Sequence, residues 1–361
     1  MENQARVNPG STNPSAPIRV LVVDDSAFMR YTITRYLSEA NGIQVVGAAR
    51  DGQEALQLIP RLQPDVVTLD VEMPHMDGLT TLREIMAEHP RPVIMLSSLT
   101  SEGALETIQA LTIGAVDFVT KPINKANVGV VMDEVVTKIQ RAARARVWSV
   151  PRQPREMAVP TVGTHAKSTR SMQSNDRVVV IGSSTGGPRA LNTVVPALPA
   201  DLPAAVLIVQ HMPVGFTRSL ADRLDSLCKI KVKEAEPGDT LEVGRALLAP
   251  GGFHMVLDDN NRIALNQDPA VHGVRPAIDV TMNSVTRRFG SSVVSVILTG
   301  MGSDGTMGSG LVHAQGGYVI AEAEATCVVW GMPRSVFEAG YTDEVVPIDQ
   351  VAGAIQRVLR K

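Results

Sequence analysis

The chain of 361 residues exceeds what one hydrophobic core usually sustains, so two domains of roughly 120 to 190 residues are expected. Hydrophobic residues make up 44% of it and aromatics only 3%, so the cores must be aliphatic, as in sheets of buried parallel strands. A net charge of −3 gives no general pull toward nucleic acid or anionic lipid, and the two isolated cysteines, Cys228 and Cys327, suggest neither a disulfide framework nor a zinc site.

Residues 1–17 carry Asn, Ser and Pro without a positively charged start or an apolar core, and read as a disordered tail rather than a signal peptide. No apolar run approaches the roughly 20 residues of a membrane span, so direct membrane insertion is not expected and the location reads as cytoplasmic. From residue 18 to 146 short aliphatic runs alternate with helix-period segments: Ile18 to Val23, Val45 to Ala49, Val66 to Leu69, Val93 to Leu96 and Val116 to Val119. Five strands with intervening helices predict a doubly wound parallel sheet, whose ligand site lies at the carboxyl ends of the strands. Asp24, Asp25, Asp70, Ser97 and Lys121 all fall at such ends and are predicted to converge.

Three carboxylates gathered there call for a hard, oxygen-preferring cation, and Mg2+ fits, with Asp24, Asp25 and Asp70 around it. Asp70 then becomes a nucleophile toward a phosphoryl donor, Lys121 neutralises the phosphoryl oxygens, and the Ser97 hydroxyl can hydrogen-bond the new phosphate. Any one Asp after a strand can merely cap a helix; five such groups gathered at strand ends are a site.

Residues 147–176 dissolve into Pro and Ser, with Arg and Lys along them, and read as a basic interdomain linker. Regular structure resumes over 177–361. The runs Arg177 to Ile181, Ala205 to Gln210 and Val293 to Leu298 read as strands, and turn signals at Gly238-Asp239, Pro250-Gly251-Gly252 and Asp259-Asn260-Asn261 predict an antiparallel hairpin within an otherwise parallel α/β domain.

Ser184 follows a strand inside Gly182-Ser183-Ser184-Thr185-Gly186-Gly187, where a tight strand-to-helix turn exposes a nucleophile and aims backbone N–H groups, that of Thr185 foremost, at an oxyanion. His211 and Asp304 each follow another aliphatic strand. Together they suit nucleophile, general base and acid, and orienter of the imidazolium. The order Ser, His, Asp departs from the Ser, acid, His order of α/β-hydrolases. His254, His272 and His313 compete for the base; His272 lies in a polar stretch, His313 within a predicted helix, and His254 is a candidate to line the pocket. A dinucleotide in the glycine-rich turn is the rival reading, yet GxGxxG is absent. A non-enzymatic regulator whose second domain binds a partner or DNA is another, though low basicity and the lack of a helix-turn-helix pattern stand against DNA, and a general carboxylesterase is a third.

Val22-Val23-Asp24-Asp25-Ser26, Leu69-Asp70-Val71-Glu72-Met73-Pro74 with Asp77-Gly78, and Thr120-Lys121-Pro122 resemble the receiver domains of bacterial response regulators. The resemblance implies phosphorylation of Asp70 by a histidine kinase, metal ligation by Asp25 and Asp70 with Asp24 assisting, and Ser97 and Phe118 as the switch pair beside Lys121. Phe118 stands where many receivers carry Tyr. Over nearly the whole chain, these motifs with Ile181 to Gly187, Val209-Gln210-His211-Met212-Pro213, Ala249-Pro250-Gly251-Gly252 and Leu298 to Gly305 resemble the chemotaxis protein-glutamate methylesterases, the CheB family. That resemblance implies Ser184, His211 and Asp304 as the triad, and oxyanion donors near Thr185 and Met301. It implies hydrolysis of glutamyl methyl esters on the cytoplasmic helices of methylated chemoreceptors, glutamine deamidation as a second activity, and a chemotaxis histidine kinase as phosphodonor. No cofactor is expected for ester hydrolysis and no nucleic-acid partner. Ser183 and Ser303 stand where Ala and Asn are expected.

Overall fold

The computed structural model describes residues 16–98, 100–122, 127–149, 169–173 and 176–360. Nearly all of the tail read as disordered, and residues 150–168 of the segment read as a basic linker, lie outside the described residues. The chain divides into two compact units, Met1–Met157 and Ala158–Lys361. No helix among the described residues is long and apolar enough to cross a membrane.

The first unit alternates β1 (Ile18–Val23), α1 (Ala27–Glu39), β2 (Ile43–Ala49), α2 (Gly52–Leu62), β3 (Val66–Asp70), α3 (Gly78–Glu88), β4 (Val93–Ser97), α4 (Ser101–Ile113), β5 (Asp117–Thr120) and α5 (Val128–Ala142). Its sheet has the order β2-β1-β3-β4-β5, and every neighbouring pair is parallel. Val20 to Val23 and Val66 to Leu69 are fully buried, as strands covered by helices on both faces must be. The helices start where the sequence places cap residues: Asp51, Asp77 and Thr100 accept the N–H groups of Glu54, Thr80 and Gly103 at 2.8, 2.6 and 2.9 Å. At Gly78 the head of α3 presses on the end of β3, where a Cβ would stand 2.1 Å from the Asp70 carbonyl oxygen.

In the second unit the elements are β6 (Arg170–Ser171), β7 (Arg177–Ser183), α6 (Gly187–Val194), β8 (Ala204–Gln210), α7 (Phe216–Leu227), β9 (Lys231–Glu234), β10 (Glu242–Val243), β11 (Arg245–Leu248), β12 (His254–Leu257), β13 (Ile263–Asn266), α8 (Ile278–Phe289), β14 (Val293–Ile297), α9 (Thr306–Ala314), β15 (Tyr318–Glu322), α10 (Met332–Glu338), β16 (Glu344–Val346) and α11 (Ile348–Leu359). The main sheet runs β16-β15-β14-β7-β8-β11-β9 and is parallel throughout. The expected antiparallel hairpin is β12–β13, which forms a two-stranded sheet of its own beside α8. Arg170 and Ser171, read from sequence as linker, pair antiparallel with β10, and Arg170 is clamped to Asp176 by two contacts of 2.6 and 2.7 Å.

This topology fixes where a site can form. From β7 the chain moves one way to β8, β11 and β9, and later returns to β7's other side with β14, β15 and β16. Loops leaving β7 and β14 therefore diverge, opening a crevice at the carboxyl edge between them.

Candidate active site

Three of the predicted residues fall at that edge of the sheet, and two of them, His211 and Asp304, touch. Ser184 is the first residue past β7, His211 the first past β8, and Asp304 stands in the loop from β14 to α9. Gly186, at φ +79°, turns the chain directly into α6, and the turn is laced to the β14 loop by Ser184 N–H donating to Thr299 O at 3.0 Å and the Thr299 hydroxyl donating to Thr185 O at 3.0 Å. Gly300 must be glycine: a Cβ there would lie 2.8 Å from Ser184 Cβ and 2.4 Å from Met332 Sδ.

His211 Nε2 lies 2.7 Å from Asp304 Oδ2, so the other ring nitrogen, Nδ1, is the one left for a hydroxyl. Asp304 is only 2% exposed. Ile278 N–H donates to its Oδ2 at 2.7 Å, and Asp279 N–H and Gly305 N–H donate to its Oδ1 at 2.9 and 3.0 Å. Two of these donors form the head of α8, where the helix dipole also favours an anion. Burial alone pushes the Asp304 carboxyl up, but the hydrogen bond and charge of His211 and the two α8 N–H groups outweigh it and hold the carboxyl below its usual range. The Ser184 hydroxyl is partly exposed and makes no hydrogen bond to His211 in this resting geometry; such bonds commonly tighten only with substrate. Among the described residues, the Met301 N–H at the same rim donates no backbone hydrogen bond.

Sequence reasoning missed the supports. Gln210 is buried at the end of β8; its Oε1 accepts the Ser183 hydroxyl at 2.7 Å and its Nε2 donates to the carbonyls of Ser184 and His211 at 2.9 and 3.0 Å. It ties the nucleophile turn to the histidine loop and explains the serine at 183. Glu322, 1% exposed at the end of β15, accepts Thr299 N–H at 2.8 Å, and burial pushes its carboxyl above the usual range. A polar residue closing an otherwise aliphatic strand was the available signal for both. His254 does not line the pocket. It is fully buried, with Nδ1 accepting Ala277 N–H at 3.2 Å and Nε2 3.3 Å from Pro269 O, because the β12–β13 hairpin packs against α8 and turns the ring inward. His313 lies on α9 against the Tyr341 ring, and His272 pairs with Asp279.

In the first unit, Asp24 and Asp70 are buried and Asp25 is exposed, with one carboxylate oxygen from each within 4.8 Å of the others. Lys121 Nζ reaches Asp70 Oδ2 at 2.5 Å and Asp24 Oδ2 at 3.2 Å, the latter outside hydrogen-bond geometry, so Asp24 Oδ2 is a buried oxygen with no hydrogen-bond donor. A cluster of hard oxygens with one such orphan fits a divalent cation. Burial raises the Asp70 carboxyl to about 7, with Lys121 pulling down and Asp24 adding to the rise. The open cavity here, about 520 Å³, is lined by Asp25, Asp70, Glu72, Asp77, Glu106 and Lys121. Two expected members face elsewhere. Ser97 Oγ donates to Gly103 O at 3.1 Å and accepts from Thr107 Oγ1 at 2.7 Å, both on α4, and the buried Phe118 ring lies 5.1 Å beneath Lys138 Nζ from α5.

Comparison with known proteins finds a known family in each half of the chain. Residues 20–131 match the response regulator receiver domain, and residues 179–355 match the CheB methylesterase family. The protein-glutamate methylesterase/protein-glutamine glutaminase of Symbiobacterium thermophilum is 54% identical over 95% of this chain and 97% of its own length, and that of Geobacillus kaustophilus is 48% identical over 95% and 99%. A crystal structure of the Thermotoga maritima CheB methylesterase catalytic domain is 47% identical, covering 50% of this chain and 98% of that one at a TM-score of 0.49. The chain belongs to the protein-glutamate methylesterase/protein-glutamine glutaminase family, enzymes of the CheB type with a receiver domain ahead of the hydrolase.

Proposed function

We propose that this enzyme hydrolyses γ-glutamyl methyl esters on the cytoplasmic helices of chemoreceptors, and deamidates glutamine side chains there, by a Ser184–His211–Asp304 mechanism. The observation that carries the reading is the 2.7 Å contact between His211 Nε2 and Asp304 Oδ2 beside Ser184, with the carboxylate saturated by backbone N–H groups. With Nε2–H donated to Asp304, Nδ1 of His211 accepts the Ser184 proton as Oγ attacks the ester carbonyl. The N–H groups of Thr185 and Met301 stabilise the tetrahedral oxyanion. Collapse breaks the C–O bond to the methoxy group, which takes the proton from His211 and leaves as methanol. Water, activated by the same imidazole, then attacks the acyl-enzyme and releases glutamate. A glutamine amide follows the same course with ammonia as leaving group. No cofactor enters this chemistry.

The receiver regulates the hydrolase. Asp24, Asp25 and Asp70 would hold Mg2+, whose chemistry is neutralisation of the pocket and of incoming phosphoryl oxygens. Asp70 attacks the phosphoryl group of a histidine kinase, forming an acyl phosphate as the donor P–N bond breaks. Lys121 pairs with the new charge, and Ser97 leaves α4 to reach a phosphoryl oxygen, with Phe118 repacking as the partner of that switch. Release of radiolabelled methanol from methylated receptor membranes, with and without a small phosphodonor, tests both halves. Phosphodonor-stimulated release supports them; no release from these membranes would remove the substrate assignment.

A further inference from the structure

Behind Asp304 stands a second carboxylate that the triad does not use. Asp304, just ahead of α9, accepts the N–H groups of Ile278 and Asp279 at the head of α8; Asp279, in the first turn of α8, accepts Gly308 N–H from the first turn of α9 at 2.7 Å. The two helices thus cap each other, which puts two buried like charges side by side. Asp279 has one further partner, His272, whose Nε2 lies 3.0 Å from Asp279 Oδ2. His272 sits at φ +54° with Gly273 at φ +77°, in the tight turn closed by Val271 and Val274. A left-handed histidine is uncommon, and here it aims the ring at the carboxylate.

The charged groups facing this pair are Asp304 from the β14–α9 loop and, across it, His211 from the β8–α7 loop. From the hairpin side comes His254, whose Nδ1 accepts Ala277 N–H, and in the loop itself Arg275 donates to the carbonyls of Gln267 and Asp268. Arg287 and Arg288 lie in the last turn of α8, and His313 in the last turn of α9, at the far ends of both helices. His272, Asp279 and Asp304 offer donor atoms within 4.8 Å of one another, yet each Asp304 oxygen already accepts two N–H groups and has no lone pair left for a cation.

We infer that His272 and Asp279 are an ion pair that positions the Asp304 loop and, through its net charge, sets the pH at which His211 becomes a competent base. The inference rests on the Ser184–His211–Asp304 reading. Burial pushes the Asp279 carboxyl up and the Asp304 charge adds to the rise, while Gly308 N–H and His272 pull it down. Asp279→Asn removes a carboxylate from beside the dyad, which disfavours protonated His211 and moves the acid limb of kcat/KM to lower pH. His272→Asn leaves the Asp279 anion alone and moves it to higher pH. Mere loosening of the loop cannot produce opposite displacements. Both variants suit the fold, because asparagine tolerates a positive φ at 272 and an amide oxygen at 279 still accepts Gly308 N–H.

The test is kcat/KM for methyl-ester hydrolysis by the full chain against pH, between about pH 5 and 9, for wild type, Asp279→Asn, His272→Asn and Ser184→Ala. Opposite shifts of roughly half a pH unit are expected. Limbs that stay in place, or move the same way, overturn the ion pair while a silent Ser184→Ala keeps the triad. Turnover persisting in Ser184→Ala overturns the triad itself.

Discussion

The two halves of the molecule gather carboxylates at the ends of parallel strands and treat them in opposite ways. In the receiver, Asp24 and Asp70 are buried with too few donors, one oxygen is orphaned, and Asp70 is driven up to about 7. In the hydrolase, Asp304 is equally buried but accepts four N–H groups and is held below its usual range. The same topology therefore makes a reactive, cation-seeking carboxylate in one place and an inert, permanently charged one in the other. What decides between them is what faces the oxygens: His211 and backbone N–H groups offset burial at Asp304, whereas at Asp70 the Asp24 carboxylate adds to it.

The contrast can be broken by experiment. Ser184→Ala should reduce methanol release on the order of 10³-fold or more, since the nucleophile is lost while binding survives. Asp304→Asn should fall nearly as far, by about 10³-fold, and should also destabilise the hydrolase by about 1–3 kcal/mol, because an amide NH₂ replaces an oxygen that accepts two N–H groups. If Asp304→Asn kept most of its activity, saturation of this carboxylate would have no catalytic meaning. Asp70→Asn should remove all stimulation by a small phosphodonor, measured as the ratio of stimulated to basal turnover.

Smaller effects are expected at Gln210 and from Mg2+. Gln210→Ala should cost roughly tenfold in kcat/KM and about 2 kcal/mol in stability, by stranding a hydroxyl and two carbonyls near Ser184 and His211. For Asp70 the folded-state value lies above the unfolded one, so receiver stability is lost as pH rises from about 4 through about 7. Mg2+ should restore it, raising the Tm of the receiver transition by roughly 2–5 °C at pH 8 and by less at about pH 5.5, where protons already neutralise the pocket. An equal rise at both pH values would separate cation binding from the Asp70 carboxylate.

The alternation of aliphatic runs and helical segments made both sheets legible, because a strand covered on both faces has to be continuously apolar. The residues with chemistry were legible for the same reason: Asp24, Asp70, Ser184, His211 and Asp304 stand out as polar groups where apolar runs stop. Several strand ends were read short by one or two residues, so that Asp70 and Ser97 close β3 and β4 instead of following them, and β14 was read one residue long. The supporting layer showed only as polar residues closing aliphatic strands, and its contacts were not legible. Gln210 and Glu322 act through partners far away in sequence, and the reciprocal capping by Asp279 and Asp304 depends on how α8 lies against α9, which no local pattern encodes. His254 misled because burial in a short hairpin leaves no periodic trace. The resting direction of Ser97 is set by Thr107 and the Gly103 carbonyl, which its own strand does not reveal.

The most direct test of the central claim is to react the full chain with a fluorophosphonate, which forms a stable phosphonyl ester with an activated serine, and to locate the adduct by peptide mass spectrometry. A single adduct is expected on Ser184, one that no longer forms, or forms far more slowly, in Asp304→Asn. An adduct on another residue, or undiminished labelling of Ser184 once Asp304 is neutralised, would contradict it.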